Sequence, residues 1–461
     1  MVEIVASEVR GGCEAFILTK EASLWSELGI APKENVCYFA RRDGLSYLLC
    51  LLDESRGIDG VRCAAGNIVF EAERLKLERF NLHLPGAFGL EEETEAASEG
   101  VLLAGYSYAR FKKEKPVDIK VHIVNCHSDA LERGRSLAET ANYVRDLVNT
   151  PGNLFVPESF VEAAAEFEKI DGVDIRVYRG EELAENGFIG TYTVGKGSTN
   201  PPVFVHLSYK PENATFSFVA VGKGITFDSG GLSVKPQNFM ETMKMDKAGA
   251  CAVLGLFRYV VERQIPVALH VLIPSAENMP DGGAYRPDDI IKFPNGVSVE
   301  IHSTDAEGRL LLADALCYAR GLNPDVVVDV ATLTGACVVA LGRYTSGLFC
   351  EDEELRSLIV EASQRTGEKV WPMPLDRDLE DELKTEHADV RNNAKGRYGG
   401  AITAALFLKR FVDYPCRWAH LDIAGPAYLE SKWKYYRAGA TGQPVRTLAL
   451  LLERLAHRSQ R

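Results

Sequence analysis

The residues of this chain best suited to chemistry are four carboxylates and a lysine set among glycines. They are Lys223 and Asp228 in "VGKGITFDSGG" (Val221 to Gly231), Asp246 in "MKMDKAG", and Asp305 with Glu307 in "STDAEGRL". The i, i+2 spacing of Asp305 and Glu307 lets both side chains point the same way where a strand runs out into its loop. Such a pair can chelate one cation or bridge two. Four carboxylates in one cleft repel each other unless cations neutralise them, and two divalent ions would balance the four negative charges. The balance holds only if a ligating lysine is neutral, so Lys223 reads as an amine whose proton is displaced by adjacent metal. Gly230, Gly231 and Gly308, lacking a Cβ, would let the backbone approach the ions.

Competing chemistries fit less well. A phosphate loop needs G-x-x-x-x-G-K-[ST] opening a helix, whereas here glycine follows the lysine. Ser229 is not in a G-x-S-x-G setting and has no histidine near it in sequence, which disfavours a serine nucleophile. The nine histidines include no HExxH pair. His122 and His127 read as structural or exposed, and His302 as a candidate for the layer behind the acidic pair. "VGKG" also occurs at Val194 to Gly197, but no acidic residue follows within five positions, so Lys196 reads as part of a turn.

The elements that must position these residues alternate in kind. After Thr150 come "FSFVAV", a helix across "NFMETMKMDKAGACAVLGLFRYVVERQ", then "VALHVLIP", "VSVEIHS", "RLLLADALCYARGL" and "DVVVDVATL". Near-continuous β-branched runs separated by helices predict an α/β fold, a mostly parallel central sheet flanked by helices. Functional groups in such sheets gather past the C-terminal ends of strands, where "FDSGG", "STDAEG" and "ATLTGA" fall. Earlier, "CEAFILT", "YLLCLL", "NIVFEA" and "KVHIVNC" read as strand-like runs among helices such as "EEETEAASEGVLLAGYSYARF", a small mixed α/β domain. The stripe in "SDALERGRSLAETANYVRDLVN" predicts a connecting helix that "TPGN" stops. The expected division is 1–127 for the N-terminal domain, 128–150 for the connecting helix and 151–461 for a catalytic domain.

Bulk properties narrow the partners. At 461 residues, with 46% hydrophobic and 25% charged residues, the chain reads as a globular protein of at least two domains. A net charge of −13 and a pI near 5.4 oppose polyanions, so neither nucleic acid nor an anionic membrane is an expected partner. The basic "YARFKKEKP" reads as a solvated loop. Ten cysteines without a CxxC pair suggest reduced thiols, and the absence of a leader pattern or a long apolar run leads to the expectation of a cytoplasmic protein.

Taken together, "VGKGITFDSGGLSVKP", "MKMDKAGA", "STDAEGRLLLADAL", "DVATLTGA", "GGAITAALFLKRFV" and "WAHLDIAGPAY" resemble the leucyl aminopeptidase, or cytosol aminopeptidase, family from about Asn149 to the C-terminus. The resemblance implies a dinuclear metallo-aminopeptidase that removes N-terminal residues from peptides, preferring leucine or another apolar side chain. Lys223, Asp228, Asp246 and Glu307 would bind one metal and Asp228, Asp305 and Glu307 the other, the ions being Zn or Mn, with Mg and Co as alternatives. Lys235 would face the developing oxyanion, and Arg309 would hold a bicarbonate serving as general base. Met243, Thr332, Gly335 and Ala424 would line the side-chain pocket. Peptides with a free N-terminus would be the substrates, and a homohexamer the assembly. Two departures from the family's pattern stand near the site: Ser303 replaces an asparagine and Lys247 a methionine, the latter expected to add charge beside the metal.

Overall fold

The computed structural model describes residues 1–5, 13–34 and 36–459. The chain forms two compact units, one of Met1–Asn142 with Arg365–Gly367 and Leu429–Gly439, the other of Tyr143–Gln364, Glu368–Tyr428 and Ala440–Arg461. The line between them cuts the Ser128–Asn149 helix, which is continuous.

In the first unit, six strands run in the order Val2–Ile4, Ile119–Ile123, Arg79–His83, Cys13–Leu18, Leu45–Leu51 and Cys37–Arg42. All neighbours are parallel except the last pair, a hairpin. "NIVFEA", expected as a strand-like run, lies inside the Ile58–Arg74 helix. Val61, Ala65, Ile68 and Ala72 are all buried there, a helical spacing that the short run viewed alone conceals. Lys434, brought in from the later chain, pairs with Asp59 at 2.6 Å, and the buried Arg62 pairs with Glu99 at 3.0 Å.

The second unit holds the sheet that matters for function. Its order is Val370–Pro372, Ser346–Cys350, Arg417–Asp422, Val326–Ala331, Ser217–Gly222, Ala268–Asn278, Val203–Tyr209 and Val173–Arg179, with Gly224–Asp228 also pairing the Ala268–Asn278 strand. Its centre is parallel, and antiparallel pairs lie toward the edges. Strand side chains alternate between faces. Val219 and Val221 enter one core with Leu310, Leu311 and Phe407, from the Gly308–Ala319 and Gly400–Lys409 helices. Gly222 faces the other way, where a Cβ would lie 2.5 Å from Ala250 Cα, so its lack of a side chain lets the Ala248–Glu262 helix sit against the strand.

The long helix expected across residues 238–264 is broken. A short helix, Gln237–Met240, gives way to Thr242 at φ 72° and a 3₁₀ turn, Met243–Lys247, before the Ala248–Glu262 helix begins. A positive φ at a β-branched residue is uncommon and costs energy. Here the break presents Asp246 to the end of the sheet.

Candidate active site

Lys223 leaves the Ser217–Gly222 strand with its backbone tied on both sides: its N–H donates to Val330 O at 3.0 Å and its carbonyl accepts from Ala250 N at 2.9 Å. The side chain, 3% exposed, lies between two carboxylates, 2.8 Å from Asp246 Oδ1 and 2.8 Å from Glu307 Oε1, and donates to Thr332 O at 2.9 Å. A Cβ on Gly308 would lie 2.4 Å from Lys223 Cε, so that glycine makes room for the lysine. Asp228 ends its strand beside Asn278, its register partner, whose Nδ2 donates to Asp228 Oδ1 at 2.8 Å. Oxygens of Asp228, Asp305 and Glu307 lie within 4.8 Å of one another. Lys235 Nζ stands 2.8 Å from Asp228 Oδ2 and 2.6 Å from Asp305 Oδ1. The structure thus gathers Lys223, Asp228, Lys235, Asp246, Asp305 and Glu307 into one cluster.

Charge within the cluster is incompletely compensated, since four carboxylates face two lysines. Burial alone would lower the Lys223 pKa, but Asp246 and Glu307 outweigh it and hold the ammonium above its ordinary range. Burial pushes Asp246 up to about 8 despite Lys223, and burial with Glu307 pushes Asp228 up to about 6. Glu307 goes the other way: burial raises it, but Lys223 and Lys235 hold it below the usual carboxylate range. Asp246 Oδ2 and Glu307 Oε2 are buried without a hydrogen-bond donor among the described residues. Such oxygens are costly unless a cation satisfies them. A hard, oxygen-rich donor set with excess negative charge fits divalent metal ions.

Arg309 sits apart from the ion pairs. Its Nη1 donates to Asn392 O at 2.7 Å, Phe407 lies under the guanidinium at 5.9 Å, and its buried Nε has no partner among the described residues. Burial lowers its pKa to about 10. Among the expected pocket residues, Thr332 is buried, Met243 and Ala424 are half-buried, and Gly335 is exposed, with open space where a Cβ would go.

Several residues stand otherwise than their local sequence suggests. Asp305 and Glu307 do not extend a strand of the large sheet; they lie in the turn that opens the Gly308–Ala319 helix. Ser229 is occupied structurally, donating to Asn278 O at 2.7 Å and accepting from Gly231 N. His302 is exposed, and its backbone N–H donates to Asn392 Oδ1. Ser303 Oγ accepts from Asp305 N at 3.2 Å. The Lys247 amine does not join the cluster. It turns away to the carbonyls of Val148, Lys244 and Thr150, and burial lowers its pKa to about 8. A cation there complements the C-terminus of the Ser128–Asn149 helix.

Sequence reasoning named Thr332 only as a pocket residue and passed over the others that support the cluster. Thr332 Oγ1 donates to Asp246 Oδ1 at 2.7 Å. Tyr285 Oη and Asn278 Nδ2 both donate to Thr304 O. Asp422 accepts from Leu333 N, Ala424 N and Thr334 Oγ1, tying the segment after Ala331 to the end of its own strand. Asn278 and Asp422 offer only position at strand ends, which many inert residues share, and Tyr285 lies in the loop between two strands.

A buried carboxylate cluster at the C-terminal edge of a parallel α/β sheet, with basic groups beside it, defines a metal-dependent hydrolase centre. The model of the cytosol aminopeptidase family catalytic domain matches residues 142–449. A "Probable cytosol aminopeptidase" from Persephonella marina is 46% identical over 407 residues, covering 86% of this chain and 82% of that relative. Among solved structures, the bottromycin maturation enzyme BotP in complex with Mn superposes with a TM-score of 0.90 at 35% identity, over 97% of this chain and 100% of that one. A tomato leucine aminopeptidase mutant gives 0.88 at 29% identity, over 98% and 96%. The chain belongs to the cytosol aminopeptidase family and is a metallo-aminopeptidase of its dinuclear type. Among the described residues no helix is long and apolar enough to cross a membrane.

Proposed function

We propose that this aminopeptidase prefers leucine or another apolar N-terminal residue and works through two metal ions held by the cluster. One observation carries the reading: Asp228, Asp305 and Glu307 converge within 4.8 Å while Lys223 reaches both Asp246 and Glu307. Lys223, Asp228, Asp246 and Glu307 would hold one ion; Asp228, Asp305 and Glu307 the other, with Asp228 and Glu307 shared. Bound there, such ions activate water and polarise a carbonyl.

The chain's own residues supply the rest. Asp246 and Glu307 take the proton-bearing Lys223 as counter-charge, so Lys223 must release a proton to act as a ligand. Lys235 sits between Asp228 and Asp305 and must swing from them to face a developing oxyanion. It is partly exposed, on a loop bordered by the exposed Leu232 and Val234, which leaves room for that movement. Arg309 offers a planar fork whose Nε has no partner among the described residues, suited to bicarbonate. Met243, Thr332, Gly335 and Ala424 would form a mainly apolar pocket that excludes charged side chains. The complex of BotP with Mn supports Mn as one fitting ion, with Zn, Mg and Co as others to test. We take residues 151–461 as the catalytic domain, a homohexamer as the assembly and the cytoplasm as the location.

The test is hydrolysis of leucine p-nitroanilide by protein stripped by a chelator and then reloaded with Mn or Zn. Activity should vanish and return as bound metal approaches two per chain, exceeding that on lysine or glutamate analogues. Activity indifferent to chelation would overturn the two-metal reading, and equal rates on all analogues would overturn the apolar preference.

A further inference from the structure

The segment from Ile301 to Arg309 carries Asp305, Glu307 and Arg309, yet most of it has no strand or helix to hold it. The short parallel pairing of Val299 and Glu300 with Val390 and Arg391 stops just before it. Backbone polar groups buried in such a loop need partners. One residue supplies many of them. Asn392, 0% exposed, follows the end of that pairing, and its N–H donates to Glu300 O at 2.9 Å. Its Oδ1 accepts from His302 N at 2.7 Å and Ser303 N at 3.2 Å. Its Nδ2 donates to Ser303 O at 2.7 Å and Ala306 O at 3.3 Å, and its carbonyl accepts from Arg309 Nη1 at 2.7 Å. The side-chain amide, having both donor and acceptor, continues the ladder where the strands end.

We propose that Asn392 is the positioning residue of the centre: it sets the loop that presents Asp305 and Glu307 and seats Arg309 on its carbonyl. The inference rests on the two-metal reading of the site. An amide is needed because no other small side chain serves two N–H groups and two carbonyls from one plane. A carboxylate would keep the acceptor side but turn an oxygen toward Ser303 O and Ala306 O. Removing groups that orient metal ligands typically costs roughly 10–100-fold in metal affinity or activity.

The experiment uses full-length wild type, Asn392→Ala, Asn392→Asp and Ile359→Ala. Ile359 is a fully buried residue of the Glu353–Thr366 helix and forms no part of the site. Each protein is stripped of metal, titrated with Mn(II) by calorimetry and electron paramagnetic resonance, melted without metal, and assayed at saturating Mn. Asn392→Ala should weaken Mn binding and lower kcat roughly 10–100-fold, with KM within about threefold. Ile359→Ala should lower the melting temperature at least as much and keep wild-type Mn affinity. If the alanine variant does not fold, Asn392→Asp carries the same expectation. Wild-type Mn affinity and kcat in a folded Asn392 variant would overturn the proposal, as would an equal loss of Mn affinity in Ile359→Ala. A wild type that binds no pair of ions would instead sink the two-metal reading, and this inference with it.

Discussion

Lys196 and Lys223 occupy the same tetrapeptide, "VGKG", with opposite fates. Lys196 caps the end of the Ile189–Gly195 helix and is exposed, whereas Lys223 is buried between Asp246 and Glu307. The tetrapeptide decides neither outcome. The difference lies in the chain beyond each copy: a strand ending in Asp228 after one, "STNPP" after the other. Lys247 adds a third case, fully buried like Lys223 but with its amine bonded to backbone carbonyls rather than carboxylates, and its pKa falls to about 8 where that of Lys223 rises. Burial disfavours a charged amine, and only opposite charges at contact distance reverse the sign.

The widest gap between the two tetrapeptides should appear on removing each amine. Lys223→Met leaves Asp246 and Glu307 buried without their counter-charge, a loss worth about 3–5 kcal/mol where a buried pair is broken. Metal stoichiometry and turnover should both collapse, while Lys196→Met, a surface change, should stay within about twofold of wild type. Matched activities in the two variants would break the comparison. Next in size, Lys235→Ala should lower kcat by roughly 100- to 1,000-fold, as loss of an oxyanion partner does, with both metals still bound. Metal loss in that variant would make Lys235 a structural counter-charge like Lys223.

A smaller effect should follow from Thr332→Val, which removes the hydroxyl on Asp246 Oδ1 and should weaken metal binding roughly tenfold, read by competition with a chelating dye. The smallest effect belongs to buried bases with no acid partner. His206 and His270, bonded at 2.9 Å within the sheet, are held neutral by burial, their pKa values lowered to about 3 and about 4. The unfolded chain takes up their protons below about pH 6.5 and the fold refuses them. Their contribution is therefore complete above pH 6.5 and is lost as pH falls toward 4. Melting temperatures between pH 8 and 4 should drop less steeply in His270→Gln than in wild type, with neutral-pH turnover unchanged. An identical slope would show the pair to be inert.

Much of the second unit was legible because its strands are unbroken β-branched runs, and parallel burial on both faces demands that pattern. "DVVVDVATL" and "VALHVLIP" became strands for this reason. The break at Thr242 was hidden because "NFMETMKMDKAGACAVLGLFRYVVERQ" keeps good helix formers throughout, and propensity does not register a turn imposed by tertiary contacts. The contribution of Leu429–Gly439 to the first unit was equally invisible, since nothing local marks a segment that pairs with residues hundreds of positions away.

For the site, residue chemistry and spacing alone singled out Lys223, Asp228, Asp246, Asp305 and Glu307, and ordered motifs pointed to the family. Those are properties of short stretches, in which side-chain type and neighbouring glycines are fully written. The fold alone decided that these residues meet, that Lys235 bridges two of the carboxylates, that Lys247 turns away, and that Asn392 organises the acidic loop. Each of these depends on where distant backbone groups come to rest, and hydrogen-bond partners and local dielectric exist only once the chain has packed.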